Sequence, residues 1–304
     1  MTFQEKLKTL RKQKNISQEQ MAEKIHVSRQ AITKWESGIG LPDIENLIAI
    51  SGLFNESLDA LLSEEKSLMS KHEFLYESRT AYDLDSPKKI DLKIGTAHEV
   101  IIEKTMDEKI QLIAASNKLD SLTKQVKVKI VENKRRMDVV VKHSSDLSDS
   151  AAYEHLFILV RIPVTFVADI ELSARLENLK IRDITFDRIE FDGKTKNVYL
   201  TNATGHVEMN THSNLSLEVT EARGKIDLNQ VNAVSKISFA EGQTYYLKNA
   251  GRFTRFVDAA SKIIVGKRQT KDPAEPVDFI VELNGWKSEV QVLTDVTRIK
   301  DVHL

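Results

Sequence analysis

Arg29, Gln30, Thr33 and Lys34 crowd into six consecutive positions, and each side chain can hydrogen-bond the edge of a nucleic-acid base or a phosphate. Arginine pairs bidentately with guanine, glutamine bidentately with adenine, and threonine reaches a base or a thymine methyl. On a helix near residues 28–36, Ile32 and Trp35 turn toward a core, which leaves these four residues on the outward face. That arrangement suits reading rather than catalysis. No nucleophile, base and orienting group form a recognisable set in the sequence. With no cysteine, disulfides, thiolate metal sites and a cysteine nucleophile are excluded together.

A reading face needs a frame. Apolar residues at three- and four-residue spacings run through the first 62 positions: Phe3, Leu7 and Leu10; Met21, Ala22 and Ile25; Ala31, Ile32 and Trp35; Leu47, Ile48 and Ile50; Leu58, Leu61 and Leu62. They predict five short amphipathic helices near 2–14, 17–24, 28–36, 43–54 and 57–62, with their apolar faces turned to one core. Ser17 with Gln20 forms a capping-box pattern, Ser28 is placed to cap the next helix, and Gly38 to Pro42 separates the third helix from the fourth. Ala22 is small where two helices must cross closely. His26, between Ile25 and Val27, falls in a tight turn as a left-handed residue, a conformation histidine tolerates. Lys6, Lys8, Arg11, Lys12 and Lys14 crowd the first helix as a solvated face. The first 63 residues still balance eight Lys and Arg against eight Asp and Glu. Affinity for random DNA is therefore expected to be modest and salt-dependent.

The stretch Ile16 to Gly38 contains S-Q-x-x-[LM]-A from Ser17 and V-S-R-Q-x-I-x-x-W-E-x-G from Val27, and Pro42 follows. Over about a fifth of the chain it resembles the Cro and phage-repressor type (XRE) helix-turn-helix family. The resemblance implies double-stranded DNA as partner, with the third helix in the major groove. It implies DNA contacts from Gln18, Ser28, Arg29, Gln30, Thr33 and Lys34. Gln18 is similar to the family's glutamine that bonds a phosphate and braces the reading side chain, assisted by free N–H groups at that helix start. It also implies a sequence-specific transcription regulator, cytoplasmic, binding a palindromic operator as a homodimer across half-sites one helical turn apart. Repression is preferred over activation, because occupying a promoter needs no additional contact surface. No cofactor or metal is implied.

The rest of the chain follows another period. At 304 residues, 41% hydrophobic, 29% charged and with a net charge of −1, it has length for two domains and apolar content for a real core. Its first residues, Met1 to Lys6, lack the apolar core of a signal peptide. The most apolar run, Leu156 to Ala168, carries Arg161 and Pro163 and is too short to span a bilayer. Residues 63–88, with Glu64-Glu65-Lys66 and Ser86-Pro87-Lys88-Lys89, read as a linker, in part helical. From Ile90 onward apolar residues alternate: Ile90/Leu92/Ile94, Val126/Val128/Ile130, Val139/Val141, Ile170/Leu172, Ile189/Phe191, Val198/Leu200, Val207/Met209, Leu217/Val219, Ile226/Leu228 and Ile237/Phe239. Short strands at that spacing predict an all-β domain over 89–304.

Within it lies a repeat: Val198 to Met209 matches Leu217 to Leu228 at a shift of 19, with Thr201/Thr220, Ala203/Ala222 and Gly205/Gly224 coinciding. A weaker copy begins at Leu179 and slips by one residue before Ile189 and Phe191. Two strands and two turns per unit describe a β-solenoid, with a β-sandwich as the alternative. The expected fold class is thus two-domain, α plus all-β: a five-helix helix-turn-helix bundle in 1–62, then the β domain. Its x-[IV]-x-[LM] strands and glycine turns resemble an adhesin-like β-solenoid repeat family. The β domain is expected to sense a signal, hold the dimer or bind an unknown protein or ligand. The alternative is a scaffold or envelope-stress interaction protein whose DNA binding is secondary.

Three smaller patterns complete the reading. His206, Glu208, Asn210 and His212 share one strand face and could meet a metal or anion, but two histidines so far apart on a straight strand fit a solvated outer face better. Lys134-Arg135-Arg136 is a basic triplet in a turn. Tyr245, Tyr246, Phe253 and Phe256 are expected to cap the core, and Trp286 to close a hairpin.

Overall fold

The computed structural model describes residues 3–14, 16–54, 56, 58, 74–84, 86–163, 169–269, 273 and 275–293. Contacts divide the chain into two units, Met1–Phe74 and Leu75–Leu304.

The first unit contains α1 (Phe3–Gln13), α2 (Gln18–Lys24), α3 (Arg29–Glu36) and α4 (Ile44–Phe54). The helix expected near 57–62 falls almost wholly outside the described residues. Leu7, Met21, Ile32 and Ile50, one from each helix, are fully buried against one another in a single cluster. Each such side chain contributes about 1.5–3 kcal/mol. Ala22, 3% exposed, stands in the same cluster.

The described helices number six rather than five, because α5 (Leu122–Gln125) and α6 (Asp149–His155) lie in the second unit. Periodicity could not reveal them. The first is a single turn, and the second has only Ala152 buried; it begins where Ser148 Oγ accepts the Ala151 N–H at 3.2 Å.

The second unit is otherwise strand: β1 (Tyr76–Asp83), β2 (Lys89–Thr105), β3 (Lys109–Ser116), β4 (Val126–Glu132), β5 (Arg136–His143), β6 (Phe157–Pro163), β7 (Asp169–Lys194), β8 (Asn197–Thr211), β9 (Ser216–Thr220), β10 (Arg223–Val231), β11 (Val234–Phe239), β12 (Tyr245–Asn249), β13 (Arg255–Val257), β14 (Ile263–Val265), β15 (Phe279–Trp286) and β16 (Glu289–Val292). They join in one hydrogen-bonded sheet. The stretch read as a linker therefore contains β1, which pairs with β3 and whose mostly exposed side chains hid it from a pattern search. The apolar run from Leu156 supplies β6, buried between β3 and β2. Among the described residues no helix is long and apolar enough to cross a membrane.

From β7 onward the repeat becomes parallel pairing. Leu179 lies opposite Val198 and Ile181 opposite Leu200; Val198 lies opposite Leu217, and Gly205 opposite Gly224. The offset is 19 residues, as in the sequence. The one-residue slip is a register shift between Thr185 and Arg188, after which Ile189 faces Val207 and Phe191 faces Met209. At Gly224 strands β8 and β10 come so close that an added Cβ would stand 2.2 Å from the Gly205 carbonyl oxygen, and φ is +117°.

At the C-terminal end chain order and spatial order part. β15 lies between β10 and β12, and β16 between β11 and β13. Residues 279–292 thus enter between β10 and β12 in one ladder and between β11 and β13 in the other, so β12 and β13 each reach the rest of the sheet through them. Trp286 therefore closes no hairpin, since β15 and β16 belong to different ladders. Of the aromatics expected to cap the core, Tyr245 and Phe256 are fully buried within it, whereas Phe253 is 72% exposed at a turn.

Two outcomes follow from this packing. Gly224→Ala should cost about 2–5 kcal/mol in urea unfolding, combining overpacking at about 1–3 with left-handed strain at about 1–2. In a chain ending at Asp278, amides of β12 and β13 should exchange with solvent without protection, while those paired between β7 and β8 keep theirs.

Candidate nucleic-acid interface

Local chemistry builds the frame of α2 and α3. Gln20 N–H donates to Ser17 Oγ at 3.1 Å and Ser17 N–H donates to Gln20 Oε1 at 2.8 Å, so the predicted capping box is present. The chain then turns through His26, whose φ is +57°, the left-handed residue expected there. Ser28 Oγ accepts the Ala31 N–H at 3.2 Å and starts α3. Met21, Ala22, Ile25, Ile32 and Trp35 are buried, and α3 is therefore fixed in rotation.

That rotation leaves Ser28, Arg29, Gln30, Thr33 and Lys34 exposed and Gln18 half-buried. Arg29 stands 3.8 Å from Glu19, with both side chains more than 60% exposed. Such a pair contributes about 0–1 kcal/mol, too little to hold the guanidinium away from another partner. Thr33 Oγ1, with a single proton to give, stands within hydrogen-bond distance of two acceptors, the Arg29 carbonyl at 3.0 Å and Gln18 Oε1 at 3.2 Å.

Gln18 leads to a part of the site that residue spacing did not reveal. Its Nε2 donates to Glu36 Oε2 at 2.8 Å. Arg11 clamps the same carboxylate, Nε to Oε1 at 2.6 Å and Nη2 to Oε2 at 3.0 Å, and its Nη1 donates to the Ile16 carbonyl at 3.0 Å. The hydrogen bonds that Arg11 donates to Glu36, together with the carboxylate's charge, outweigh burial and hold the Arg11 guanidinium above its usual pKa. The side chains of Arg11 and Glu36 are only 13% and 4% exposed. Arg11 is thus no part of a solvated lysine face; it ties α1 to the end of α3, and Gln18 ties α2 to both. Arg11 and Glu36 lie 25 residues apart in the chain, beyond the reach of periodicity. The signal available was the Trp35-Glu36 pair in the motif.

In the other candidate clusters several of the side chains are already paired within the protein. His206 Nε2 lies 2.7 Å from Asp227 Oδ2; Glu208 accepts from Arg188 at 2.6 Å and Asn229 at 3.0 Å; Asn210 donates to Glu190 at 3.0 Å. His212 is exposed beyond them. Among the described residues no group of three or more His, Asp or Glu could hold a metal. In the basic triplet, Arg136 is paired with Asp91, and with Asp138 at 2.7 Å.

Comparison with known proteins matches residues 7–61 to the family model for the helix-turn-helix. The chain is 54% identical over 66 residues to the helix-turn-helix-type transcriptional activator BcrR of Enterococcus faecalis, which covers 22% of this chain and 32% of that one. It is 43% identical over 61 residues to the cryptic phage CTXφ transcriptional repressor RstR of Vibrio cholerae, covering 20% and 54%. It is 33% identical over 78 residues to the SPβ prophage-derived helix-turn-helix-type transcriptional regulator YonR of Bacillus subtilis, covering 26% and 72%. The chain therefore spans about a third of the length of the first relative and about half of the second. Similar solved structures, matched to the C-terminal part, include a candidate adhesin of Bacteroides fragilis, at 9% identity, 72% and 98% coverage and a TM-score of 0.35. Another is a candidate cell adhesion protein of Clostridium sporogenes, at 7% identity, 71% and 98% coverage and a TM-score of 0.30.

The buried clamp has a measurable consequence. Glu36→Ala leaves Arg11 charged and unpaired, and should lower the stability of the first unit by about 3–5 kcal/mol in denaturant unfolding. Arg29→Ala, on the exposed face, should change it by less than about 0.5 kcal/mol.

Proposed function

The chain belongs to the helix-turn-helix family through residues 7–61, and we propose that it is a transcription regulator whose α3 reads an operator in the major groove. One observation carries the proposal: Arg29, Gln30, Thr33 and Lys34 are exposed together on a helix whose opposite side is locked by Ile32, Trp35 and the Arg11–Glu36–Gln18 clamp. Arg29 and Gln30 reach base edges, Thr33 and Lys34 a base or phosphate, and Ser28 and Gln18 the phosphates beside them. Gln18 has one Nε2 hydrogen to spare for a phosphate after bonding Glu36, and its carbonyl fixes Thr33.

In this reading the protein acts in the cytoplasm as a homodimer on a palindromic site, its half-sites about 34–36 Å apart. It represses by occupying the promoter. Residues 1–62 form the reading domain, and the β domain beyond the connection senses a signal, holds the dimer or docks a partner. The parallel pairing of β8 with β9 and with β10, each at a 19-residue offset, supports a β-solenoid for that domain.

Selection of bound sites from random DNA by the full-length protein at physiological salt tests the proposal. We expect one palindromic sequence to be enriched, and Arg29→Ala/Gln30→Ala to lose it with a cost of about 2–6 kcal/mol, two bidentate contacts' worth. Salt-sensitive binding without enrichment, unchanged by the double substitution, would overturn sequence-specific reading and favour an interaction protein that binds DNA only secondarily.

A further inference from the structure

The coils of the second unit turn corners through single left-handed residues: Asp183 (φ +51°), Asn202 (+48°), Glu221 (+52°), Asn232 (+53°), Lys287 (+49°) and Phe253 (+59°). At each corner the following residue turns inward; Ile184, Ala203, Ala222, Ala233, Ser288 and Thr254 are at most 4% exposed. Aspartate and asparagine tolerate this backbone best, because a short polar side chain can hydrogen-bond locally. Asn202 does so, donating to Asp183 Oδ1 of the coil beside it at 2.8 Å. A bulky aromatic has no such compensation. Phe253 is therefore the outlier among the corners, and it is also 72% exposed.

Its neighbours make the exception larger. Three corners stack: Asn232 N–H donates to the Trp286 carbonyl at 3.0 Å, and Lys287 N–H to the Arg252 carbonyl at 3.1 Å. Phe253 meets Trp286 edge-on, with ring centroids 5.0 Å apart and planes at 81°. The Arg252 guanidinium lies 5.9 Å from the same indole ring. Trp286, Val231 and Val234 are exposed too, at 38%, 36% and 54%. The rings lie outside the core, so neither the backbone strain nor the exposure is repaid by burial. Strain held at an exposed aromatic is a sign of recognition.

The surroundings are basic. Arg252 and Lys287 are exposed, as are Lys267 and Arg268 on the segment whose Gln269 N–H donates to the Asn249 carbonyl at 2.7 Å; Arg255 is paired with Glu289 at 2.6 Å. Tryptophan, other aromatics and arginine are the residues that anchor protein interfaces. An anionic membrane surface demands a denser cation cluster and a broader apolar face.

We propose that this corner docks an acidic segment of a protein partner, which receives the edges of Phe253 and Trp286 in apolar side chains and sets carboxylates against Arg252 and Lys287. The proposal is independent of DNA reading by the first unit.

The test is selection of a random-peptide display library on the full-length protein, followed by affinity measurement with the synthetic peptides recovered. The expected result is enrichment of peptides joining Asp or Glu to Leu, Ile or Phe, with affinity reduced at least about tenfold by Phe253→Asn and by Arg252→Glu. Phe253→Asn should at the same time raise the melting temperature by about 2–4 °C, the scale on which relief of one strained residue moves a domain of this size. Four results would overturn the proposal: no acidic enrichment, equal peptide affinity in both variants, a lowered melting temperature in Phe253→Asn, or loss in both variants of binding to phosphatidylglycerol vesicles instead of peptide. Self-association of the unmodified protein that Phe253→Asn abolishes would overturn it in favour of a second copy as the occupant.

Discussion

Parallel strands hydrogen-bond side by side at about 4.8 Å, and in the second unit that spacing runs unbroken from β2 through β7, β8, β9, β11 and β16 to β13. Strands that neighbour one another in the ladder must therefore present matching faces. Apolar residues stack on apolar residues, Val198 on Leu217 and Val207 on Ile226, and glycine lies on glycine where the backbones converge. The 19-residue repeat is the imprint of that backbone constraint on the side chains.

This explains what could be read without coordinates. Where a strand pairs with the strand one repeat on in the chain, the alternation, the repeat and even the one-residue slip after Thr185 were visible in the residues, because each is local or separated by one period. The insertion of 279–292 was not. Phe279 and Val281 alternate like any buried strand, and nothing in their types says that Gly224 lies on one side and Tyr245 on the other. Phe253 misled for a related reason: aromatic residues near the end of a repeat read as a cap, but its place in the turn directs the side chain outward. Tyr76–Asp83 escaped as an edge strand with a mostly exposed face.

In the first unit the four described helices were legible because each buries one stripe and turn signals separate them: Ser17, Ser28, and the stretch from Gly38 to Pro42; Asp43, whose Oδ1 accepts the Asn46 N–H at 2.9 Å, was not read as a cap. The outward set on α3 followed from the inward one. The Arg11–Glu36 clamp did not follow, since charged residues carry no period. Its value is orientation. An apolar contact tolerates a small rotation of α3, whereas a two-pronged guanidinium–carboxylate contact with Gln18 on its flank does not.

The two units expose polar groups under opposite conditions. Across the sheet, charges on the same or the adjacent strand neutralise each other: Lys225 bridges Asp227 and Glu282 at 2.8 Å, Lys248 reaches Glu282 at 3.2 Å, and Arg161 and Arg182 share Glu103. Burial pushes the Glu282 carboxyl up, yet the hydrogen bonds and charges of the two lysines outweigh it and hold the group below the usual carboxylate range. A ligand arriving on such a face would have to break a pair before making one, so a regular ladder of ionic residues is poor ground for recognition despite its charge density. Recognition needs groups that the protein's own regularity leaves without an equivalent neighbour. On α3 the end of a short helix packed on one side only provides them. In the second unit they arise at a turn such as the one at Phe253, where the side chain of the left-handed residue projects from the ladder.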